Sequence, residues 1–402
     1  MSNLNGTIIP QADSKASKRL LTLGFALLPI SIGPTLFGLR VFFLVAATLI
    51  VSGCFLNRRR DRVQFERFQV LFLVLFFVSA LFAAIFSPVA NENGSQAWNW
   101  ILLTSLCMAL AVFVKRSFVS SLTPLLNGLM LLGGFDAIFI FTSIALERGS
   151  IFSATTQRAF LFEYYLQDAF YCALAGILFL SSATLELQRR RRNLLIISGA
   201  LCAGAMILLA SRGAILAFAA GLIFGFIALL RKGLVTKSIS YVAIVLVGLV
   251  LVFLFTPAGN QVVQRFQVYG DAEALNQVRR ANFQTLALST VSQNPFGLGW
   301  NGFSTITSNS LTEAVRSTHN MYLSLCLDIG WIGALSYLLI ILVILKHGLS
   351  TRAPNSNILV ASLLVAYLIE GLNDSPHVLP VSMGANLLLL VLYGGSIVAS
   401  KK

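Results

Sequence analysis

Arg279-Arg280, then Asn294-Pro295-Phe296-Gly297-Leu298-Gly299, then His319-Asn320-Met321-Tyr322-Leu323, then Asp328-Ile329-Gly330-Trp331-Ile332-Gly333 follow one another between Arg279 and Leu339. The first two groups lie in a polar stretch. The last opens out of an apolar run over 320–345 whose only charged residue is Asp328. That run is longer than the ~20 residues a helix needs to cross a bilayer. The stretch therefore sets arginines and one histidine at the mouth of a membrane helix, and the rest of the chain has to be read around that placement.

Composition agrees with a membrane setting. Apolar residues make up 57% of the chain and charged residues 11%, and the mean hydropathy is +0.82. A soluble domain carries roughly 25% charged residues to cover its surface. The formal charge of +14 does not imply nucleic-acid binding, because the basic residues come in short bursts between apolar runs, as in loops facing the cytoplasm. Cys54, Cys107, Cys172, Cys202 and Cys326 all fall inside apolar runs. They read as small core side chains and not as a disulfide or metal framework. The first apolar run leads directly into further spans, so no cleavable signal peptide is expected.

Twelve apolar segments approach spanning length, at 20–36, 37–56, 68–86, 99–114, 118–146, 169–187, 194–210, 214–230, 238–255, 320–345, 358–372 and 383–400. The predicted fold is an all-α polytopic bundle, a single transmembrane domain over 1–402 with about twelve helices. Orientation follows from the basic residues. With a cytoplasmic amino terminus, 21 of the 29 lysines and arginines fall in inner loops, every cluster on an even-numbered gap, including Arg189 to Arg192 and Lys346. Both termini are then cytoplasmic. The outer side keeps Arg40, Arg148, Arg158, Arg212, Arg265, Arg279, Arg280 and Arg316, and no lysine. Positive charge held against the topological bias, and only as guanidinium, points to a planar oxyanion such as phosphate.

Two outer inserts stand out. The longer, 256–318 between spans nine and ten, has a pattern of Leu275, Val278, Phe283, Leu286 and Leu288 that predicts amphipathic helices lying over the membrane face. The second covers 147–168 and carries Arg158. Neither contains a glycine-rich phosphate loop, which argues against a nucleotide-driven pump. Gly297 and Gly299 after Pro295 read as a turn. Ser211-Arg212-Gly213 is all that separates spans seven and eight, so the chain must turn sharply there. His319, where the long insert meets the tenth span, could be half desolvated and still accessible from outside, which suits a general base. The bland reading of the same histidine is a helix cap. Arg212 could equally snorkel to headgroups, and Arg279 and Arg280 could be solvated charges on a helix.

These motifs resemble the O-antigen ligase and polysaccharide polymerase superfamily, which shows an arginine, an Asn-Pro-x-x-Gly-x-Gly turn, a His-Asn-x-Tyr-Leu motif and a Gly-x-x-Gly pair in this order. Ser211-Arg212-Gly213-Ala214 resembles a further recurring feature, and Arg280 precedes Asn294 by the family's spacing of about fourteen residues. Arg158 resembles another outer-loop arginine, although Asp168-Ala169 stands where an Asn-Pro turn is usual. The resemblance implies a fold like that of the C class of membrane glycosyltransferases. It also implies a bacterial inner-membrane enzyme whose active site faces the periplasm, with an undecaprenyl-diphosphate-linked glycan as donor. His319 would be the base, with Arg212 and Arg280 on the diphosphate. Arg158, Arg279, Arg265, Arg316, Asn320 and Tyr322 would be substrate contacts. No cofactor and no metal would be needed, and the sugar would transfer with inversion. The acceptor would be the lipid A core for a ligase, or a second lipid-linked glycan for a polymerase. Asp136, Asp328 and Glu370, acids within spans, keep an anion transporter or a polysaccharide export component open as a reading of another class.

Overall fold

A computed structural model describes residues 15–30, 67–86, 118–146, 165–209, 211–233, 281–299, 318–349 and 355–373, with positions 45, 48, 49, 52, 302, 303 and 307. All regular structure among them is helical. The helices are α1 (Lys15–Ile30), α2 (Arg67–Phe86), α3 (Phe118–Leu146), α4 (Tyr165–Leu185), α5 (Arg189–Leu208) and α6 (Arg212–Arg231). They continue with α7 (residues 281–293), α8 (Met321–Gly348) and α9 (Asn355–Asn373). Five contain stretches long and apolar enough to cross a membrane, in α3, α4, α5, α6 and α8, and α2 and α9 contain shorter apolar stretches. Helix is the form expected of such runs, because it satisfies every backbone group within the segment. Eight of the twelve apolar segments thus coincide with described helices. Those at 99–114, 238–255 and 383–400 lie outside the described residues, and of 37–56 only positions 45, 48, 49 and 52 are described, all helical.

Helix α4 is the hub. It packs against α3, α5, α6 and α9, and from Asp168 to Ile177 nearly every side chain is fully buried. Small residues bring the axes close, as membrane helices require. A Cβ on Gly133 of α3 would run into Ala175 and the Tyr171 carbonyl of α4. One on Gly221 of α6 would meet Ile177 Cδ1 at 2.6 Å and the Ser362 carbonyl of α9 at 2.9 Å.

These contacts also fix directions. Gly176 lies against Phe218 and Gly225 against Ser181, so α4 and α6 are parallel. Gly199 lies against Leu180 and Gly176 against Cys202, so α5 is antiparallel to α4. Gly213 meets Glu370 and Gly225 meets Ser362, so α9 is antiparallel to α6. Met321 lies on Gly371, and at the far end Leu349 joins the small apolar cluster of Leu229 and Ile358. The basic groups Arg189 to Arg192, Arg231 and Lys346 therefore gather at one end of the bundle. Arg212, His319, Asp168 and Glu370 gather at the other.

Helix α7 revises the expectation for the long insert over its described part. Phe283, Leu286, Ala287, Thr290 and Val291 form one stripe at helical spacing, and Ala287 and Val291 are fully buried within the same core as Met321 and Leu325. Leu288, expected on the apolar face, is 52% exposed. This part of the insert is built into the bundle and does not merely lie over it.

Candidate functional site at the Arg212–His319 end

His319 has a backbone φ of 51°, the one non-glycine residue in the left-handed region among the described residues. That conformation costs roughly 1–2 kcal/mol for an ordinary residue, so its neighbours must hold it there. Thr318 Oγ1 donates to the Asn320 carbonyl at 2.8 Å, accepts from the Asn320 N–H at 3.2 Å, and lies 2.7 Å from Ser324 Oγ. Asn320 in turn caps α8, its Oδ1 accepting from the N–H groups of Tyr322 at 2.9 Å and Leu323 at 3.1 Å. An Asn at this position satisfies two of the donors that every helix start leaves open. Thr318 is buried, while His319 and Asn320 are half-buried. The imidazole thus projects from a backbone fixed on both sides. Asn320 and Tyr322, expected as substrate contacts, are engaged in structure. Tyr322 Oη donates to the Leu368 carbonyl of α9 at 2.9 Å.

The start of α8 is pinned to the end of α9 a second way. A Cβ on Gly371 would lie 2.8 Å from Met321 Cε and 2.9 Å from its Cβ, so only glycine admits the Met321 side chain. One residue earlier, Glu370 is 3% exposed, and its carboxylate presses on Gly213, the second residue of α6. An acid at a helix N-terminus meets the positive end of the helix dipole. Ser211 supplies the cap of α6, accepting from the Ala214 N–H at 3.3 Å. Arg212 is on the exposed side of this first turn. The Glu370 carboxylate occupies the buried side of the helix start, where Arg212 is the exposed residue.

The structure therefore brings His319, Arg212 and Glu370 to one end through α8, α9 and α6. Arg158, Arg265, Arg279, Arg280 and Arg316 lie outside the described residues, Arg280 immediately before α7. Two residues gain importance from the fold. Thr318 has no chemistry of its own, and its only signal was its place before the His-Asn pair. Glu370 was visible as an acid within a span, but nothing in the sequence connected it to Gly213. Asp136 and Asp168, both fully buried, meet where α3 crosses α4, and Cys172 Sγ donates to Asp136 Oδ2 at 3.5 Å. Among the described residues no three His, Cys, Asp or Glu side chains converge as a metal ion would need.

Residues 197–338 match the family described as O-antigen ligase. The matched segment runs from within α5, through α6 and α7, past Gly333 of α8. It contains Arg212, Arg280, the 294–299 turn and His319, and stops short of Glu370. No curated protein matches the chain.

Proposed function

From the O-antigen ligase match over residues 197–338, we propose that this membrane protein transfers a glycan from an undecaprenyl-diphosphate carrier to an acceptor hydroxyl on the periplasmic side. The reading takes the finer architecture from the sequence: twelve spans with both termini cytoplasmic in the inner membrane, a single domain over 1–402, and outer loops at 147–168 and 256–318. The observation that carries it is the convergence of His319 and Arg212 at the end opposite Arg189 to Arg192 and Lys346. Phosphate-seeking cation and base are together, and both are away from the clusters that mark the cytoplasmic face.

In the mechanism, Arg212 and Arg280, with Arg158 from the second loop, hold the diphosphate and stabilise the charge it gains as the sugar–oxygen bond breaks. His319 takes the proton of the acceptor hydroxyl. That oxygen forms a new bond to the anomeric carbon from the face opposite the diphosphate, which leaves with the electron pair, so configuration inverts. The base has to be aimed, and the Thr318 and Asn320 bonds around its strained backbone do this. Arg279, Arg265 and Arg316 line the approach of donor and acceptor. The guanidinium groups supply the electrostatic stabilisation that a metal gives in other transferases. Ser211-Arg212-Gly213-Ala214 and the single long loop favour the ligase branch, with the lipid A core as acceptor. The polymerase reading shares every step but the acceptor.

The test is His319→Ala in purified protein given a lipid-linked glycan and both acceptor types. Transfer should fall by ~100- to 10,000-fold, the usual cost of losing a general base, with insertion and thermal unfolding unchanged. Transfer at the wild-type rate would overturn the mechanism. Solute transport that persists in His319→Ala but fails in Asp136→Asn or Glu370→Gln would select the transporter.

A further inference from the structure

Helix α8 is broken in the middle. Gly330 has φ 71° and ψ 175°, a backbone essentially confined to glycine. The break falls nine residues after Met321, roughly 13 Å along the helix. In an unbroken helix the carbonyls of Leu327 and Asp328 would accept from the N–H groups of residues 331 and 332. Here Leu327 O accepts from Leu298 N, Asp328 O accepts from Gly299 N at 3.1 Å, and Trp331 N donates to Pro295 O at 3.1 Å. The Asn-Pro-Phe-Gly-Leu-Gly turn therefore takes up backbone groups that the break sets free. Left unpaired at this depth, each would cost several kcal/mol.

The fit is close on both sides. A Cβ on Gly297 would lie 2.6 Å from Gly330 N, and one on Gly330 would lie 2.6 Å from the Phe296 carbonyl carbon. Gly297, Leu298 and Gly299 are buried. Phe296 stacks against Phe82 of α2 with ring centroids 5.3 Å apart. The break also redirects α8. Tyr322 Oη reaches Leu368 O, and Tyr337 Oη lies 3.2 Å from Tyr367 Oη. Two residues fifteen apart, roughly 22 Å along a straight helix, thus meet adjacent residues of α9.

Two helices end at this junction. Helix α7 arrives through Asn294, whose N–H and Nδ2 both donate to the Thr290 carbonyl. The first arm of α8 arrives through Leu327 and Asp328. The far end of α7 is Ala281, and His319 stands just before the far end of the other. We propose that the backbone clamp between 294–299 and 327–331 is the positioning element that sets α7 against the arm of α8 that follows His319, with the Trp331 N–H to Pro295 O bond as its closing link. This rests on the transferase reading for its consequence, though not for its geometry. Neither Trp331 nor Pro295 is among the proposed substrate contacts. The clamp fixes the angle between two arms, and a small error there is magnified at their tips.

Trp331 allows one link to be cut cleanly. It is the first residue after the break, where a helix tolerates proline, and the ψ of Gly330 suits the residue before a proline. Trp331→Pro removes the donated N–H. Trp331→Ala keeps it and removes only a side chain that is 52% exposed. Spin labels at Thr285→Cys on α7 and Leu323→Cys on α8, with the native cysteines replaced, report the spacing of the arms. The unsubstituted clamp should give one narrow distance distribution. Trp331→Pro should broaden it and lower kcat at least tenfold while KM for the lipid-linked donor stays within about twofold, and Trp331→Ala should preserve both. A narrow distribution in Trp331→Pro, equal damage from Trp331→Ala, or a broad distribution with the clamp intact would overturn the proposal. The last of these is decisive even if Trp331→Pro does not accumulate. The distance measurement needs no turnover, so a chain inactive on every glycan would refute the transferase reading while leaving the clamp to be judged separately.

Discussion

Two interruptions among the described residues are mended in opposite ways. Between α5 and α6 the chain stops at Leu208, turns, and restarts at Arg212. Local bonds serve the turn's described residues: Leu209 N to Ala205 O, Ile215 N to Ser211 O and Ala214 N to Ser211 Oγ. Inside α8 the stop at Gly330 is mended by residues 294–299, some thirty positions earlier in the chain. The first interruption lies at the end of the helices, where water and headgroups can satisfy whatever the cap does not. The second lies well inside a helix, where only protein can. Depth in the membrane, more than the presence of glycine, decides whether a break has to recruit a distant segment.

The comparison predicts different consequences for damage at each place. The largest concerns function at the first junction. Arg212→Lys keeps the charge but loses the planar pair of donors that meets two phosphate oxygens at once. Glycan transfer should fall by about tenfold or more, and further in Arg212→Ala, while Tm in detergent stays near wild type. Full activity in Arg212→Lys would mean that the guanidinium only reaches headgroups. Next comes stability at the second junction. Gly330→Ala forces a side chain into a glycine-only conformation and against Phe296, so unfolding free energy should drop by roughly 3 kcal/mol or more. A Tm within a degree or two of wild type would show that α8 can close into a continuous helix without the turn.

Smaller effects separate packing from capping at the first junction. Gly213→Ala drives a methyl into the Glu370 carboxylate and should cost about 1–3 kcal/mol, the usual range for overpacking. Adding Glu370→Asp, which draws the carboxyl back by one carbon, should recover part of that loss. Strict additivity in the double-mutant cycle would deny the contact. Ser211→Ala removes a cap whose bond is already long at 3.3 Å, and unfolding should register about 1 kcal/mol or less. A loss as large as that of Gly330→Ala would erase the distinction between the two interruptions.

The sequence was legible wherever one helix explained itself. The apolar run at 118–146 is α3 to the residue, the run at 68–86 begins one residue after α2, and the chain reverses just before the expected place, between Leu208 and Arg212, with Arg212 and Gly213 already in α6. Apolar length and short-range capping are properties of consecutive residues. The turn at Pro295 was legible for the same reason, since Gly297 and Gly299 adopt φ of 87° and 71°. What the turn is for was not legible. Gly330 reads as one more small residue in an apolar run, and only its partner Pro295 reveals it as a break. Leu288 was assigned to the wrong face because the stripe of α7 is set by the core it enters, through Ala287 and Val291.

The sequence by itself determined the membrane class, the helical fold, the separation of Arg212 and His319 from the clusters at Arg189 to Arg192 and Lys346, and the motifs within the stretch that matches the O-antigen ligase family. All of these are encoded in composition and spacing along one chain. The tertiary structure alone decided that Glu370 closes on Gly213, that Thr318 and Asn320 hold His319 in a left-handed backbone, and that the 294–299 turn completes α8. In each case one group's requirement, for room, for a rotated backbone or for a missing hydrogen bond, is met by a segment whose arrival no local pattern records. A sequence shows which backbone groups a helix satisfies within itself, but packing determines which segment reaches the ones it leaves open.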